Sequence, residues 1–515
     1  MKEYKRGSEV FFISIAVTLA IVIWGITMPG SFSSVANSLF DFLTTNLGWF
    51  YLITMTGFVL FCLWAAFGRH GQLKLGKPDE EPEFSTLSWF AMLFSAGMGV
   101  GLVFWGIAEP LNHFVNPLNM AGGTEQAADF ALRISFFHWG LHPWAGYGVL
   151  AMALAYMQFR HDKPGQISSI FIPLLGERRA RGSIGKFIDV LAIFATVAGV
   201  ATSLGLATLQ LTSGLNFMFG VPETDFVRLI VIGVVTLLFM ISAVTGLKRG
   251  IKYLSNANIT LAAVIMVLTL IVGPTLFIIN NFTNTLGSYF SHLISDSFRI
   301  GQDGWYGAWT IFYWAWWIAW APFVATFIAR ISRGRTIREF VGGVLFAPTL
   351  ASFAWFAILG STGINKGPEI AETAMAPAET ALFEIMQHYS LGGLISIIAV
   401  ILLTTFFITS ADSATFVLGM MSDKGNINPT TRRKVTWGFI QSGLAIALML
   451  SGGLEMLQTG SIVAAFPFAI IMLLAMYSLA RSLRAEVHAD SEVLADVDKE
   501  VVEEKLDSQS AGSSE

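Results

Sequence analysis

Thr202-Ser203-Leu204-Gly205-Leu206-Ala207-Thr208 is echoed by Thr409-Ser410-Ala411-Asp412-Ser413-Ala414-Thr415, with Thr-Ser, Ala and Thr in register. Each stretch lies inside a long apolar segment. A window of roughly 20 mostly apolar residues, the length that crosses a bilayer as helix, finds such segments near 9–29, 48–68, 88–113, 135–159, 187–218 and 226–246. Others follow near 257–281, 305–331, 340–361, 391–421, 434–452 and 457–481. The echoes fall in the fifth and tenth of these twelve. Four matching residues alone are a weak signal; a spacing of five spans gives them meaning, because an odd number of helices per copy inverts the second copy in the membrane. Inverted repeats are a transporter architecture, with ligands held near the midplane by broken helices. The expected fold is therefore all-α and membrane-embedded, with repeats over spans three to seven and eight to twelve and the first two spans peripheral.

Composition agrees with this reading. The 515 residues are 54% hydrophobic and 13% charged, against about 25% charged in soluble domains. The lone Cys62 excludes a disulfide framework or a cysteine-based zinc site. The first apolar run, from Val10 to Met28, is long enough to span and lacks a small-residue cleavage site, so it reads as a retained helix. All of the 31 Lys and Arg residues except Arg133, Arg228, Arg299 and Lys366 fall on one side of the twelve-span count. By the positive-inside rule that side, with both termini, is expected to be cytoplasmic. The resulting divisions are 1–85 (N-terminal cytoplasmic segment and peripheral first two spans), 86–281 (first repeat), 282–304, 305–481 (second repeat) and 482–515. The third of these, 282–304, carries Phe282, Leu286, Tyr289, Phe290, Leu293 and Phe298 at helical spacing and reads as an amphipathic helix on the outer surface. The last, acidic and Ser-rich, reads as a mobile cytoplasmic tail.

Gly97-Met98-Gly99-Val100-Gly101 sits near the middle of the third span and is poor helix material. Close helix packing is the plainer explanation; the midplane position favours an unwound, ligand-facing turn. The symmetry mate, the eighth span, contains Pro322. On a helical wheel Tyr313, Trp316, Trp317, Trp320, Phe323 and Phe327 occupy one arc of roughly 120°, and Trp139, Trp144 and Tyr147 cover about 140° of the fourth span. Trp305 and Trp309 fit an interfacial belt, but Trp316, Trp317 and Trp320 lie at mid-depth, as do Trp144 and Tyr147. Aromatic packing explains one such face; two faces flanking a cavity fit a cage for a quaternary ammonium, which has no N–H to donate and is recognised by ring faces. A zwitterion such as betaine also carries a carboxylate, and free backbone N–H groups from Gly97 to Gly101 could hold it without an arginine. Thr409 and Ser410 offer hard oxygens suited to sodium, although hydroxyls in helices also bond back to their own carbonyls.

The same residues allow other chemistry. His138 and His142 have the i,i+4 spacing of paired metal ligands, with Glu109 and His113 as conceivable additions, but no HExxH motif is present. Glu109 and Asp412 are ionisable groups in or near the membrane, a functional hint; a structural hydrogen-bonding role is the preferred reading. A passive channel would share the hydropathy without accumulating a solute.

Phe94-Ser95-Ala96-Gly97-Met98-Gly99-Val100-Gly101, Phe137-His138-Trp139 with Trp144 and Tyr147, Trp314-Ala315-Trp316-Trp317, Ala329-Arg330-Ile331-Ser332-Arg333-Gly334-Arg335 and Thr409-Ser410-Ala411-Asp412-Ser413 together resemble the betaine/carnitine/choline transporter family over roughly residues 8–480. The resemblance is strongest to its bacterial glycine betaine importers. It implies a LeuT-like fold of two inverted five-helix repeats in a bacterial cell membrane, assembled as a homotrimer, and no enzyme activity or nucleic-acid partner. It further implies a betaine box of Trp139, Trp144, Tyr147 and Trp317, with Gly97, Gly99 and Gly101 at the carboxylate and a pathway lined by Trp316, Trp320, Phe323 and Phe327. Sodium, the implied coupling ion, would sit among Ser95, Met98, Phe406, Thr409 and Ser410. A second sodium site would use Thr196 and the Phe323 region, but Val200 stands where a second threonine is expected. Gly101 replaces the acid that tends to mark proton-coupled choline carriers of the family, so sodium and betaine are expected over proton and choline. Basic tails serve stress sensing in some relatives; this tail is acidic, and that mechanism does not carry over.

Overall fold

The computed structural model describes the backbone of residues 2–97, 99–245, 248–301 and 304–511, and side chains throughout these except at 2–8, 94–97, 248–252 and 489–511. Among the described residues the only extended pairing is one antiparallel bridge between Lys74 and Thr336, and nine helices are long and apolar enough to cross a membrane. The helix Thr431–Ala511 counts once among the nine, yet non-helical backbone at Gly452 and Gly453 divides it into the eleventh and twelfth spans. The third and fourth spans are each built from two half-helices, Thr86–Gly97 with Val100–Val115 and Glu125–Trp139 with Leu141–Ala155. At 1.5 Å per residue none of these halves crosses a bilayer alone. With them the chain is an all-α, twelve-span membrane protein.

Local chemistry accounts for the breaks and ends. Gly99 is extended (φ −147°, ψ −165°) where the third span is interrupted. Gly140 interrupts the fourth, and a Cβ there would lie 2.5 Å from the Phe136 carbonyl oxygen and 2.9 Å from the Tyr289 hydroxyl. The ninth span, Ile337–Ile364, starts with a capping box in which Thr336 and Glu339 satisfy each other's backbone N–H groups. Its start is three residues earlier than hydropathy places it, because capping residues are polar.

The seventh span differs more from its expected limits. It runs over Lys248–Val272 and ends at Gly273-Pro274, whereupon Thr275–Phe298 forms a separate helix. The polar start conceals the first two turns from a hydropathy window, and proline, which cannot continue the ladder, sets the end. The helix Thr275–Phe298 is anchored rather than merely laid on the surface. Its Tyr289 is buried and receives the Leu141 N–H at 3.3 Å at the fourth-span break, while Asp296 pairs with the largely buried Arg133. Phe290, Ile294 and Phe298 stay exposed on the other face. The acidic segment expected as a mobile tail continues the twelfth span as helix to Ala511; its Ala, Glu, Leu and Lys are strong helix formers.

The first two spans flank the repeats, with the Tyr51 hydroxyl donating to the Ile462 carbonyl at 2.8 Å. The fifth and eighth spans cross closely: a Cβ on Gly199 would come within 2.9 Å of Trp320, whose indole N–H donates to the Gly199 carbonyl at 2.9 Å. On the side carrying the basic loops, Leu75 exchanges backbone bonds with Gly334 and Arg335, and Ile337 donates to Leu73. Arg160 bonds the Gly76 carbonyl and pairs with Glu486, which also accepts the Tyr156 hydroxyl. The loops after the second, fourth and eighth spans and the end of the twelfth are thereby tied into one collar.

Candidate substrate cavity and the aromatic box

The broken third span places a helix N-terminus in the middle of the bundle. The half-helix beginning at Val100 has no side-chain cap, and while the Leu102 N–H donates to the Gly99 carbonyl, the N–H groups of Val100 and Gly101 lie at the positive end of the helix dipole, where an anion is favoured. Gly99, Val100, Gly101 and Leu102 all border a cavity of about 970 Å³. Opposite them lie the tenth span's Phe406, Thr409 and Ser410, and a Cβ placed on Gly99 would be 4.0 Å from the Ser410 hydroxyl. The fifth span contributes Ser203 to the same cavity. Ser203 and Ser410 are the register-matched serines of the internal echo, so both copies present corresponding residues to one central space.

The aromatic wall is continuous. Trp139, Tyr147, Trp316, Trp317, Trp320, Phe323 and Phe327 all border the cavity. Trp317 meets Trp139 edge to face at 4.8 Å, meets Tyr147 at 6.2 Å and stacks on Trp316 at 5.0 Å with an 18° interplanar angle. Three of the four tryptophan N–H groups are turned away to protein acceptors: Trp139 to Glu109 Oε2 (2.8 Å), Trp317 to the His138 carbonyl (3.0 Å), and Trp320 to Gly199 and Ser203, while the buried Trp316 N–H has no partner. What Trp139, Trp317 and Trp320 leave for a ligand is ring surface, the part of an indole that attracts a cation without hydrogen bonding. From these rings the cavity reaches Gln158, Gly165, Arg330, Asn428 and Lys434 on the basic-loop side. On the opposite side it is closed by fully buried Glu109, His113, His138 and Tyr313.

Not every expected site residue borders this space. Trp144 is buried behind the wall, edge to face with Tyr147 at 5.7 Å. Thr196 is fully buried with its hydroxyl bonded to the Ala192 carbonyl at 2.8 Å, whereas Phe323 and Val200 border the cavity. Thr409 donates to the Thr405 carbonyl at 2.9 Å and accepts from Asn258 Nδ2 at 3.0 Å. Gly97 ends the first half-helix of the third span; the Ser95 side chain and all of Met98 lie outside the described residues.

Two groups were missed or differently paired. Asn258 borders the cavity, is buried and leaves Oδ1 without a partner; it falls at the edge of the expected seventh span, and an isolated amide there carries no signal of the cavity it meets. His142 does not join His138, since the Gly140 break removes the i,i+4 geometry between them. It faces the Ser297 hydroxyl at 3.1 Å and stacks on Trp314. His138 instead bonds Glu109 Oε1 at 2.7 Å, and with His113 these groups bring ligating atoms within 4.8 Å of one another. The Glu109 carboxylate is hydrogen-bonded on both oxygens, the structural role preferred for it. Asp412 borders the cavity, as does Lys434.

Comparison with known proteins extends this picture. The chain is 51% identical to "Glycine betaine transporter OpuD" of Bacillus subtilis over 490 residues, covering 94% of this chain and 95% of that one. It is 43% identical to an ectoine/hydroxyectoine transporter of Virgibacillus pantothenticus, covering 97% and 100%, and 38% identical to a glycine betaine transporter of Acinetobacter baylyi, covering 92% and 72%. A solved Na+-coupled sialic acid symporter, in a substrate-bound outward-open state, is similar at a TM-score of 0.47 and 12% identity, covering 84% of this chain and 86% of that one. The model of the BCCT family, described as betaine/carnitine/choline family transporter, matches residues 9–488. The chain is a multi-pass membrane transporter, not an enzyme, and belongs to the betaine/carnitine/choline transporter family.

Proposed function

We propose that the protein imports glycine betaine into a bacterial cell by sodium symport, with the basic-loop side cytoplasmic and the structure representing an inward-open step of alternating access. The observation that carries this reading is the cavity wall: Trp139, Tyr147, Trp316 and Trp317 offer ring faces to one space whose other side holds the uncapped N-terminus at Val100. Trimethylammonium and carboxylate, the two ends of betaine, match those two surfaces. The names of the relatives from Bacillus and Acinetobacter support betaine, and that from Virgibacillus makes ectoine the first competing solute.

Sodium would take the hydroxyls of Thr409 and Ser410 and the Phe406 carbonyl, completed by Ser95 and Met98 at the helix break. Closing the break around the ion would bring the third and tenth spans together and complete the betaine site, so ion and solute would bind cooperatively. Trp144 would support Tyr147 rather than touch the solute in this state. The second sodium site would need Thr196 to turn its hydroxyl from Ala192, so we assign one sodium with greater weight of observation. A homotrimer in the lipid bilayer follows the family pattern. A proton-coupled choline carrier is the second reading; against it stands Gly101, whose place beside Trp316 has no room for an acidic side chain.

The test is uptake of labelled betaine into proteoliposomes under imposed sodium or proton gradients. Accumulation driven by inward sodium alone is expected. Accumulation driven by protons, or equilibration without any gradient dependence, would replace the symport reading by proton coupling or a passive pore.

A further inference from the structure

Resting on the reading of the cavity as a betaine site, we propose that Glu109 is the positioning residue that holds the box open to its ligand by fixing two of its tryptophans from behind. Glu109 is fully buried in the outer half of the third span. Its Oε2 accepts the indole N–H of Trp139 at 2.8 Å and the hydroxyl of Tyr313 at 2.6 Å. Its Oε1 bonds His138 Nδ1 at 2.7 Å, with His113 Nε2 at 3.6 Å.

The second tryptophan is reached through His138. The far side of that ring, Nε2, lies 2.9 Å from the Thr310 hydroxyl, so the imidazole is held at both nitrogens. Its own carbonyl lies in the last turn before the Gly140 break, where helical carbonyls have no N–H partner of their own. That free carbonyl accepts the Trp317 indole N–H at 3.0 Å. One carboxylate therefore fixes Trp139 directly and Trp317 through the residue that precedes Trp139, while Tyr313 lies 6.2 Å from Trp317 at a 21° interplanar angle.

Energetics distinguish this from ordinary packing. Burying a carboxylate is costly unless donors satisfy it, and an apolar residue would fill the space at lower cost. What an apolar residue cannot do is set the rotation of an indole. Trp139 and Trp317 meet edge to face, and a ring that turns about its Cα–Cβ bond presents its edge, not its negative face, to a cation. The three spans joined here, third, fourth and eighth, also close the cavity on the side opposite its opening, so the carboxylate orders the box when that side is shut.

The experiment is a double-mutant cycle of Glu109→Ala and Trp139→Phe, read as betaine affinity of folded protein in detergent. Phenylalanine keeps a ring but has no N–H for the carboxylate. In the parent, Glu109→Ala is expected to weaken betaine about tenfold or more, the loss of charge-assisted hydrogen bonds; in the Trp139→Phe background the loss should shrink to about threefold, the share carried through His138. Glu109→Gln, whose amide oxygen still accepts from Trp139 and Tyr313, should recover most of the affinity. A merely structural role would give independent losses in the two backgrounds and no recovery with glutamine, and either result overturns the proposal. Should Glu109→Ala not yield folded protein, Glu109→Leu, which keeps the volume, takes its place; failure of both assigns Glu109 to folding and overturns it too. A parent that binds neither betaine, choline nor carnitine sinks the reading of the cavity itself, and is told apart from these outcomes before any variant is made.

Discussion

Gly101 and Trp316 occupy adjoining space so tightly that a Cβ added to Gly101 would lie 2.2 Å from Trp316 Cη2. Neither backbone nor indole can give way easily, since Trp316 is also stacked on Trp317 and on Phe312. Gly101→Ala is therefore expected to weaken betaine binding by about 1–3 kcal/mol, the usual cost of overpacking, and Gly101→Asp by more. Trp316→Phe combined with Gly101→Ala should restore part of the loss. Equal binding by parent and Gly101→Ala in detergent would show that the contact relaxes in the bound state.

Trp317 and Trp305 separate cage from packing. Trp317→Ala is expected to cost about 1–2 kcal/mol, roughly 5- to 30-fold in affinity, through loss of a desolvated cation–π contact. Trp305 packs against His113 and Phe130, away from the cavity wall, so Trp305→Ala should change affinity far less. Comparable losses measured on folded protein would assign the tryptophans to generic packing.

Asn258 orients Thr409, and its unpartnered Oδ1 adds a hard oxygen beside the expected ion. Asn258→Leu should raise the sodium concentration for half-maximal betaine uptake several-fold. Because linkage is reciprocal, sodium should also tighten betaine less in this variant than in the parent, as it should in Thr409→Ala with Ser410→Ala. Betaine titrations at low and high sodium, with ionic strength held by potassium, measure both. Unchanged sodium dependence in Asn258→Leu would limit that residue to helix packing.

How much of this could be read from residues alone depends on what each signal is made of. The span count, the Gly97–Gly101 break and the two aromatic faces were legible because hydropathy, glycine and tryptophan act locally. The Thr202 and Thr409 echo was legible because the pseudo-symmetry repeats a residue pattern. Asn258 was hidden because a single amide at the edge of an apolar span says nothing of its partner, and only the packing of the seventh span on the tenth brings it to Thr409. Pairing was hidden most. His138 and His142 promised a shared ligand from their spacing, and only the turn at Gly140 sends one to Glu109 and the other to Ser297. Nothing in the residues near Arg133 announces Asp296, which a helix beyond the seventh span returns to it.

Arg133 and Asp296 join the fourth span to the helix Thr275–Phe298 at a position both side chains keep largely from solvent. Removing one partner of a buried pair strands the other, at a cost of about 3–5 kcal/mol. Arg133→Ala is expected to lower the thermal midpoint in detergent by several degrees, and Arg133→Ala with Asp296→Ala to recover part of it. A larger drop in the double variant would show that the two act separately.

His161, in the basic-side collar, has its pKa lowered chiefly by burial, with Arg160, Lys77 and Lys163 adding to the effect and Glu486 opposing it. A base whose folded pKa lies below its unfolded one leaves the unfolded chain binding more protons, so stability rises with pH. Its contribution is complete above the ordinary imidazole pKa of about 6.5 and is lost as pH falls through the lowered value. The collar is expected to loosen as pH drops from 7.5 towards 5, seen as faster hydrogen exchange over residues 156–163. His161→Gln should flatten that dependence; an identical profile in the variant would place the sensitivity elsewhere.

Cys62, the single sulfhydryl of the chain, is wholly enclosed, with its sulfur 3.7 Å from the Ala145 carbonyl oxygen. The natural protein is thus already close to silent towards maleimide and spin-label reagents. Reporter cysteines can be installed one at a time, at Asn428 near the mouth and at Phe290 on the opposite face, without first redesigning the background. Labelling rates with and without sodium would then read which face is accessible in the unaltered bundle.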